Sequence, residues 1–162
     1  FGVAGPTQSG GLYCACIPQT WYQDLDGDSR GNPSVSQSSC AQPTGFIAVA
    51  GDCNDANAAV WSIPGEVRSL VFTSKTLVGW TAPSEAGGTA PLYDTIRSSG
   101  PTDFIAGGTC VESNGADTTS LESSNPAIGT AFCYLVRAET SCGVGNLGKR
   151  SSGVDRSGRN CP

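Results

Sequence analysis

The chain has 162 residues and a net charge of −5, with 38% hydrophobic residues, 7% aromatic residues and 22 glycines. No apolar run approaches the roughly 20 residues that a membrane span requires, and the acidic balance disfavours a nucleic-acid partner. The sequence lacks histidine and contains no nucleophile elbow, phosphate loop or zinc helix, so nothing in it frames a catalytic site. We therefore expect a protein that is not an enzyme.

Eight cysteines predict a framework of disulfides, which persist outside the reducing cytosol. A thiolate zinc site would show Cys-x-x-Cys pairs or histidines, and the sequence has neither. The chain begins with Phe1 and contains no methionine, so we expect a secreted, mature form whose export signal has been removed. Pairing of consecutive cysteines would give three disulfides: Cys40–Cys53, Cys110–Cys133 and Cys142–Cys161.

Residues 1–18 form an uncharged N-terminal segment. Residues 12–17 within it have high β propensity and none of the charges that discourage edge-to-edge pairing of strands. The segment is expected either to add a strand to a neighbouring subunit or to fold back on its own domain. Its two cysteines, Cys14 and Cys16, can bond to each other, exchange partners with the three pairs above, or form disulfides between chains.

Residues 19–66 form an acidic module, which holds six acidic residues and one basic residue, whereas the charges in the rest of the chain balance. Such a cluster repels itself unless a cation lies within it. Two interpretations follow from the charge alone. The module is either a solvated acidic loop or a site for a divalent metal ion.

The spacing of the first carboxylates favours the metal site. Asp24, Asp26 and Asp28 occupy positions 1, 3 and 5 of a calcium-type loop, in which Arg30 would offer its carbonyl at position 7. Position 6, where glycine is usual, is a serine, and position 12 is a valine, which has no carboxylate. The loop is therefore not an EF-hand, and the remaining ligands must come from elsewhere. A second acidic cluster follows at residues 52–57.

Four motifs in this module carry a family resemblance: Tyr22-x-Asp24-x-Asp26-Gly27-Asp28, Cys40-x-x-Pro43-x-Gly45-Phe46-Ile47, Asp52-Cys53-Asn54-Asp55 and Pro64-Gly65. In this order they resemble the bacterial extracellular metal-binding motif, a repeat similar to thrombospondin type 3 calcium repeats. The resemblance implies one or two calcium ions held by Asp24, Asp26, Asp28, Asp52 and Asp55, with Asn54, Asn57 and Glu66 as weaker candidates. An all-oxygen ligand set also favours calcium over copper or zinc.

Residues 67–162 change to short apolar runs separated by turn residues, a pattern typical of an antiparallel β-sandwich. Strands are expected at residues 67–72, 76–80, 93–97 and 132–138, and in a run after Gly148. Residues 77–83 and 93–97 resemble the B and C strands of fibronectin type III domains, and residues 129–138 resemble the F strand. The expected fold class is thus mainly β: a loop-rich calcium-binding module followed by a fibronectin type III or immunoglobulin-like sandwich.

Aromatic residues of the sandwich are expected to be structural. Trp80 is interpreted as a core anchor between the sheets, and Tyr93 and Arg97 are assigned structural roles by default. Phe132 occupies the slot in which related domains have a corner tyrosine, so the hydroxyl bond of that tyrosine would be missing.

Two functions are compatible with these features. The first is a secreted, calcium-binding, disulfide-stapled structural protein, a subunit of an extracellular filament or cell-surface assembly that self-associates through its N-terminal segment. The alternative is a monomeric adhesion or recognition module that binds a glycan or protein partner. This alternative requires an exposed aromatic or polar binding face, which the sequence does not identify.

Overall fold

The computed structural model describes residues 16–162, which fold into ten β-strands. The strands are β1 (Gln19–Gln23), β2 (Asn32–Ser39), β3 (Phe46–Ile47), β4 (Arg68–Phe72), β5 (Leu77–Thr81), β6 (Leu92–Ser98), β7 (Gly108–Gly115), β8 (Thr119–Leu121), β9 (Cys133–Thr140) and β10 (Gly143–Val144). All strand pairs are antiparallel. Within these residues no helix has the length and apolar character needed to cross a membrane.

The strands form three sheets, in the orders β2-β1-β3, β4-β5-β8 and β10-β9-β6-β7. The last two sheets make up the sandwich. Strands β5 and β6 are consecutive in the chain but lie in different sheets, and β6 pairs with β9 along seven residues. This is the arrangement expected of the B, C and F strands of an immunoglobulin or fibronectin type III-like domain, so the predicted fold class is confirmed.

Four of the predicted strands are confirmed and one is wrong. Strands β4, β5, β6 and β9 match the predicted positions, whereas no strand follows Val144 among the described residues. The run after Gly148 instead crosses the sandwich as irregular chain. Six strands were not predicted. Strands β3 and β10 have only two residues each. Strands β1, β2, β7 and β8 are rich in polar residues and glycine, and pairing with neighbouring strands overrides their weak propensity.

The main core lies between the two sheets of the sandwich. Trp80 is 7% exposed and packs against Tyr93, with 5.4 Å between ring centroids. Around them lie Val67, Val78, Val136 and Ala138. The structural roles predicted for Trp80 and Tyr93 are therefore confirmed.

A second, smaller core covers the outer face of the four-stranded sheet. Successive side chains of a strand point to opposite faces, so Ile96 of β6 points away from the main core and packs with Phe104 and Leu147. The C-terminal chain lies over this face, where the Arg159 amide donates to the Phe104 carbonyl at 2.7 Å. Beneath it lies a buried ion pair, and the sheet is thus buried on both faces.

This ion pair joins Asp94 to Arg137. Asp94 Oδ2 accepts from Nη2 and Nε of Arg137 at 2.6 and 3.0 Å, and both residues are at least 95% buried. Arg137 Nη1 also donates to Oδ1 of Asn160 in the C-terminal chain, at 3.1 Å. The pair thus connects the two central strands to the chain that covers them.

The predicted disulfide pairs are wrong. The structure joins Cys16 to Cys40, Cys53 to Cys142, and Cys110 to Cys161. All three predicted pairs linked consecutive cysteines, whereas the fold brings together cysteines that are 24, 89 and 51 residues apart. The C-terminal chain reaches β7 rather than the β9–β10 turn, and this is why Cys161 bonds to Cys110 and Cys142 remains available to Cys53.

The predicted Cys110–Cys133 bond is absent, because Cys110 bonds to Cys161. Cys133 has no disulfide partner within residues 16–162 and packs half-buried against the second core. A bond between Cys14 and Cys16 is excluded, because Cys16 bonds to Cys40. Cys14 lies outside the described residues, as does most of the N-terminal segment predicted to pair between subunits.

The acidic module is attached to the end of the sandwich at which β9 finishes. The amides of Trp61 and Ser62 donate to the carbonyl of Gly87 at 2.9 and 3.0 Å. The hydroxyl of Thr140 donates to the carbonyl of Ser62 at 2.9 Å. With the Cys53–Cys142 disulfide, these contacts fix residues 53–62 directly to the sandwich.

Candidate metal centre

The first acidic loop connects β1 to β2 and is organised by its own aspartates. Oδ1 of Asp24 accepts from the Gly27 amide at 2.8 Å, Oδ1 of Asp26 from the Asp28 amide at 3.1 Å, and Oδ1 of Asp28 from the Arg30 amide at 2.7 Å. Each aspartate thus uses one oxygen to shape the loop. The second oxygen remains for another partner.

The tight path of this loop requires left-handed backbone at two positions. Gly27 has φ 79° and Ser29, at the position where a calcium loop usually has glycine, has φ 73°. A side chain in this region costs roughly 1–2 kcal/mol. The serine that replaces the usual glycine therefore adopts a strained backbone conformation.

The second acidic loop, which contains residues 52–57, contacts the first loop through Gly31. The carbonyl of Gly31 accepts from the amides of Gly51 and Asp52 at 3.0 and 3.1 Å. A Cβ on Gly31 would lie 2.5 Å from Cβ of Tyr22, so only glycine fits at this crossing. Oδ1 of Asp55 completes the junction by accepting from the Leu25 amide at 2.7 Å. Sequence reasoning missed Gly31, because a glycine after an acidic loop gives no signal of such a contact.

The two loops together form a cluster of five aspartates. One carboxylate oxygen from each of Asp24, Asp26 and Asp28 lies within 4.8 Å of the others, and the same holds for Asp26, Asp52 and Asp55. Asp26 belongs to both groups. The cluster can therefore hold one ion near Asp26, or two ions that share it.

Three oxygens in this cluster are buried without a hydrogen-bond partner among the described residues: Oδ2 of Asp26, Asp28 and Asp52. Asp52 is only 1% exposed. A buried, unpartnered carboxylate oxygen is costly unless a cation compensates it. The arrangement therefore fits a hard divalent cation, which takes oxygen ligands.

The pKa shifts of two aspartates in the cluster also favour a bound cation. Burial raises the pKa of Asp52, the Asn54 amide opposes that rise, and the charges of Asp28, Asp26 and Asp55 add to it. The pKa of Asp28 is likewise raised, first by burial and then by neighbouring aspartates. Both carboxyls are thus destabilised as anions by their surroundings, and a bound cation would reverse this effect.

Four further residues were predicted as ligands: Arg30, Asn54, Asn57 and Glu66. Arg30, expected to act through its carbonyl, has its guanidinium 5.1 Å from the centre of the Trp61 ring. Asn54 lies half-buried on the second loop, and Oδ1 of Asn57 accepts from the Ala59 amide at 3.1 Å. Glu66 is exposed and lies against Gly148 on the sandwich, outside both aspartate groups.

Comparison with known proteins adds little to these observations. Neither protein-family models nor curated protein sequences match the chain. Among solved structures, the crystal structure of domains A168–A170 from titin is similar at 17% identity with a TM-score of 0.33. That match covers 71% of this chain and 34% of that chain.

The strand order and the aspartate cluster define the class of protein. The chain is a disulfide-bonded, all-β protein with an immunoglobulin or fibronectin type III-like sandwich, and it carries aspartate groups that can hold a metal ion. Three disulfides among residues 16–162 indicate an oxidising, extracellular environment.

Proposed function

We propose that the protein is a secreted, calcium-binding structural subunit of an extracellular filament or cell-surface assembly, with no catalytic activity. The observation that carries this proposal is the set of three buried, unpartnered carboxylate oxygens in the five-aspartate cluster. Calcium is favoured over zinc and copper because the cluster offers oxygen alone, without histidine or free thiolate ligands.

The role of calcium in this proposal is to make the subunit rigid. The ion joins the β1–β2 loop to residues 52–57, and the Cys53–Cys142 disulfide joins residue 53 to the β9–β10 turn. Without the ion, the repulsion among five carboxylates opposes the contact between the two loops. Calcium binding therefore supplies free energy that the module, with few buried apolar residues, lacks.

Self-association is assigned to the uncharged N-terminal segment, residues 1–18. Support comes from its composition, which offers a β-prone sequence without repelling charges. The absence of histidine and of any framed catalytic group supports a structural role over an enzymatic one.

The test is light scattering after size-exclusion chromatography, with calcium or with EDTA. The full chain is expected to form large species that shrink on chelation. A matched variant lacking residues 1–15 keeps Cys16, the Cys16–Cys40 disulfide and β1, and it should be monomeric under both conditions. A full chain that is monomeric in calcium would contradict the filament and leave the monomeric recognition module.

A further inference from the structure

A cleft of about 260 Å³ opens at the end of the sandwich opposite the acidic module, where β4 ends and β9 begins. Its walls include the rings of Phe72, Phe132 and Tyr134. Phe72 is 49% exposed, and its ring meets the ring of Tyr134 edge-on with centroids 5.1 Å apart. Lys75, Asn125 and Thr130, which have polar side chains, also line the cleft. An exposed aromatic face with nearby polar groups is thus present, although the sequence alone did not identify it.

A buried polar network holds these walls in place. Glu122, 4% exposed, accepts from Arg97 at 2.9 and 3.0 Å and from the Tyr134 hydroxyl at 3.1 Å. The Arg97 guanidinium in turn lies 4.5 Å from the centre of the Phe132 ring. Tyr134 and Phe132 are therefore both fixed through Arg97 and Glu122, and the cleft is pre-formed.

The charge of the cleft is positive. Both oxygens of Glu122 are occupied, by Arg97, Tyr134 and the Ser124 amide. The ammonium of Lys75 has no carboxylate within 4.0 Å among residues 16–162. A ligand that fits here would combine an apolar ring face, hydroxyl groups and one carboxylate. The volume, below the roughly 300–1,000 Å³ of drug-sized sites, suits a single ring.

We propose that the cleft binds one uronic acid residue of an acidic polysaccharide, whose ring stacks on Phe72 and whose carboxylate pairs with Lys75. The hydroxyls of the sugar would bond to Asn125 and Thr130 at the rim. The structural subunit would thereby attach to an anionic glycan at a cell surface or in an extracellular matrix.

This site is independent of the metal centre. Tyr134 near the start of β9 and Thr140 at its end are separated by six residues, or about 20 Å of extended strand. Thr140 contacts the acidic module, whereas Tyr134 lines the cleft. Glycan binding should therefore persist in EDTA. A negative glycan titration would leave the calcium and filament proposals standing, and failure of those proposals would leave the glycan site standing.

The test is a titration of the full-length, isotope-labelled chain with glucuronic acid and with glucose, followed by amide chemical shifts. Shifts are expected at residues 72–75 and 124–134, with glucuronic acid binding about 2- to 5-fold more tightly than glucose through one exposed charge contact. Phe72→Ala should weaken binding of both sugars about 2- to 10-fold, as expected for the loss of an aromatic contact. Lys75→Gln should abolish the preference for glucuronic acid.

The matched control is Val71→Ala. Val71 precedes Phe72 on β4 and is 54% exposed, but its side chain points to the opposite face of the strand, so this variant should bind like the wild type. Equal affinity for the two sugars, shifts confined to other surfaces, or unchanged binding in Phe72→Ala would each overturn the assignment.

Discussion

Replacing Asp52 by asparagine should stabilise the protein without calcium, and calcium should remove much or all of that gain. Asp52 is 1% exposed, its Oδ1 accepts from the Asn54 amide at 2.8 Å, and its Oδ2 has no partner among residues 16–162. Asparagine keeps an acceptor for the Asn54 amide and removes the buried charge. In EDTA, Asp52→Asn should therefore stabilise the protein by about 1–3 kcal/mol, the cost of an unsatisfied buried group.

In calcium the variant loses a charged ligand. Calcium affinity should fall at least about tenfold, so saturating calcium should remove at least about 1.4 kcal/mol of the gain seen in EDTA. The assay is urea unfolding followed by tryptophan fluorescence, since Trp21 and Trp61 both lie in the acidic module. The control is Glu85→Gln, which removes an exposed negative charge on the sandwich. It should leave the urea midpoint unchanged both in EDTA and in calcium. An equal change in stability on Asp52→Asn in EDTA and in calcium would contradict a calcium-ligand role for Asp52.

Three further predictions test the surrounding structure by denaturant or thermal unfolding. Ser29→Gly should stabilise the protein by about 0.5–1 kcal/mol, because glycine relieves the left-handed strain at φ 73°. The gain is smaller than the strain because glycine loses more entropy on folding. A destabilised variant would contradict this prediction. Arg137→Leu should cost about 3–5 kcal/mol, since it leaves the carboxylate of Asp94 buried and unpaired, and a loss below about 1 kcal/mol would argue against that ion pair. Burial alone would raise the pKa of Glu122, but hydrogen bonds and the charge of Arg97 outweigh burial and lower this pKa below 4.5. The ionised Glu122 therefore stabilises the fold above pH 4.5, and this stabilisation is lost as the pH falls through the lowered pKa. Glu122→Gln should lack this acid-dependent loss, and a variant with the same loss as wild type would exclude Glu122 as its source.

The sequence was informative where local chemistry decides the structure. Short apolar runs bounded by turn residues located β5, β6 and β9, and the burial of Trp80 followed from its place in such a strand. The aspartates of the first loop were recognisable because their spacing is itself the geometry of the loop.

The sequence was uninformative where long-range topology decides the structure. Disulfide pairing depends on which turns meet in space, and the C-terminal chain reaches β7 only because it covers the outer sheet face. Glu66 is near the cluster in sequence but lies against Gly148, because the chain has by then turned toward the sandwich. The Phe72–Tyr134 cleft joins residues 62 positions apart on different sheets, which no local pattern indicates.

The most direct test of the calcium assignment is a calorimetric titration of calcium into the chelator-treated full chain. We expect one or two ions to bind per chain, with binding retained in Glu85→Gln and lost in Asp26→Asn, because Asp26 belongs to both aspartate groups. Absence of binding up to about 10⁻³ M calcium, the weak limit for extracellular calcium modules, or unchanged binding in Asp26→Asn, would contradict it.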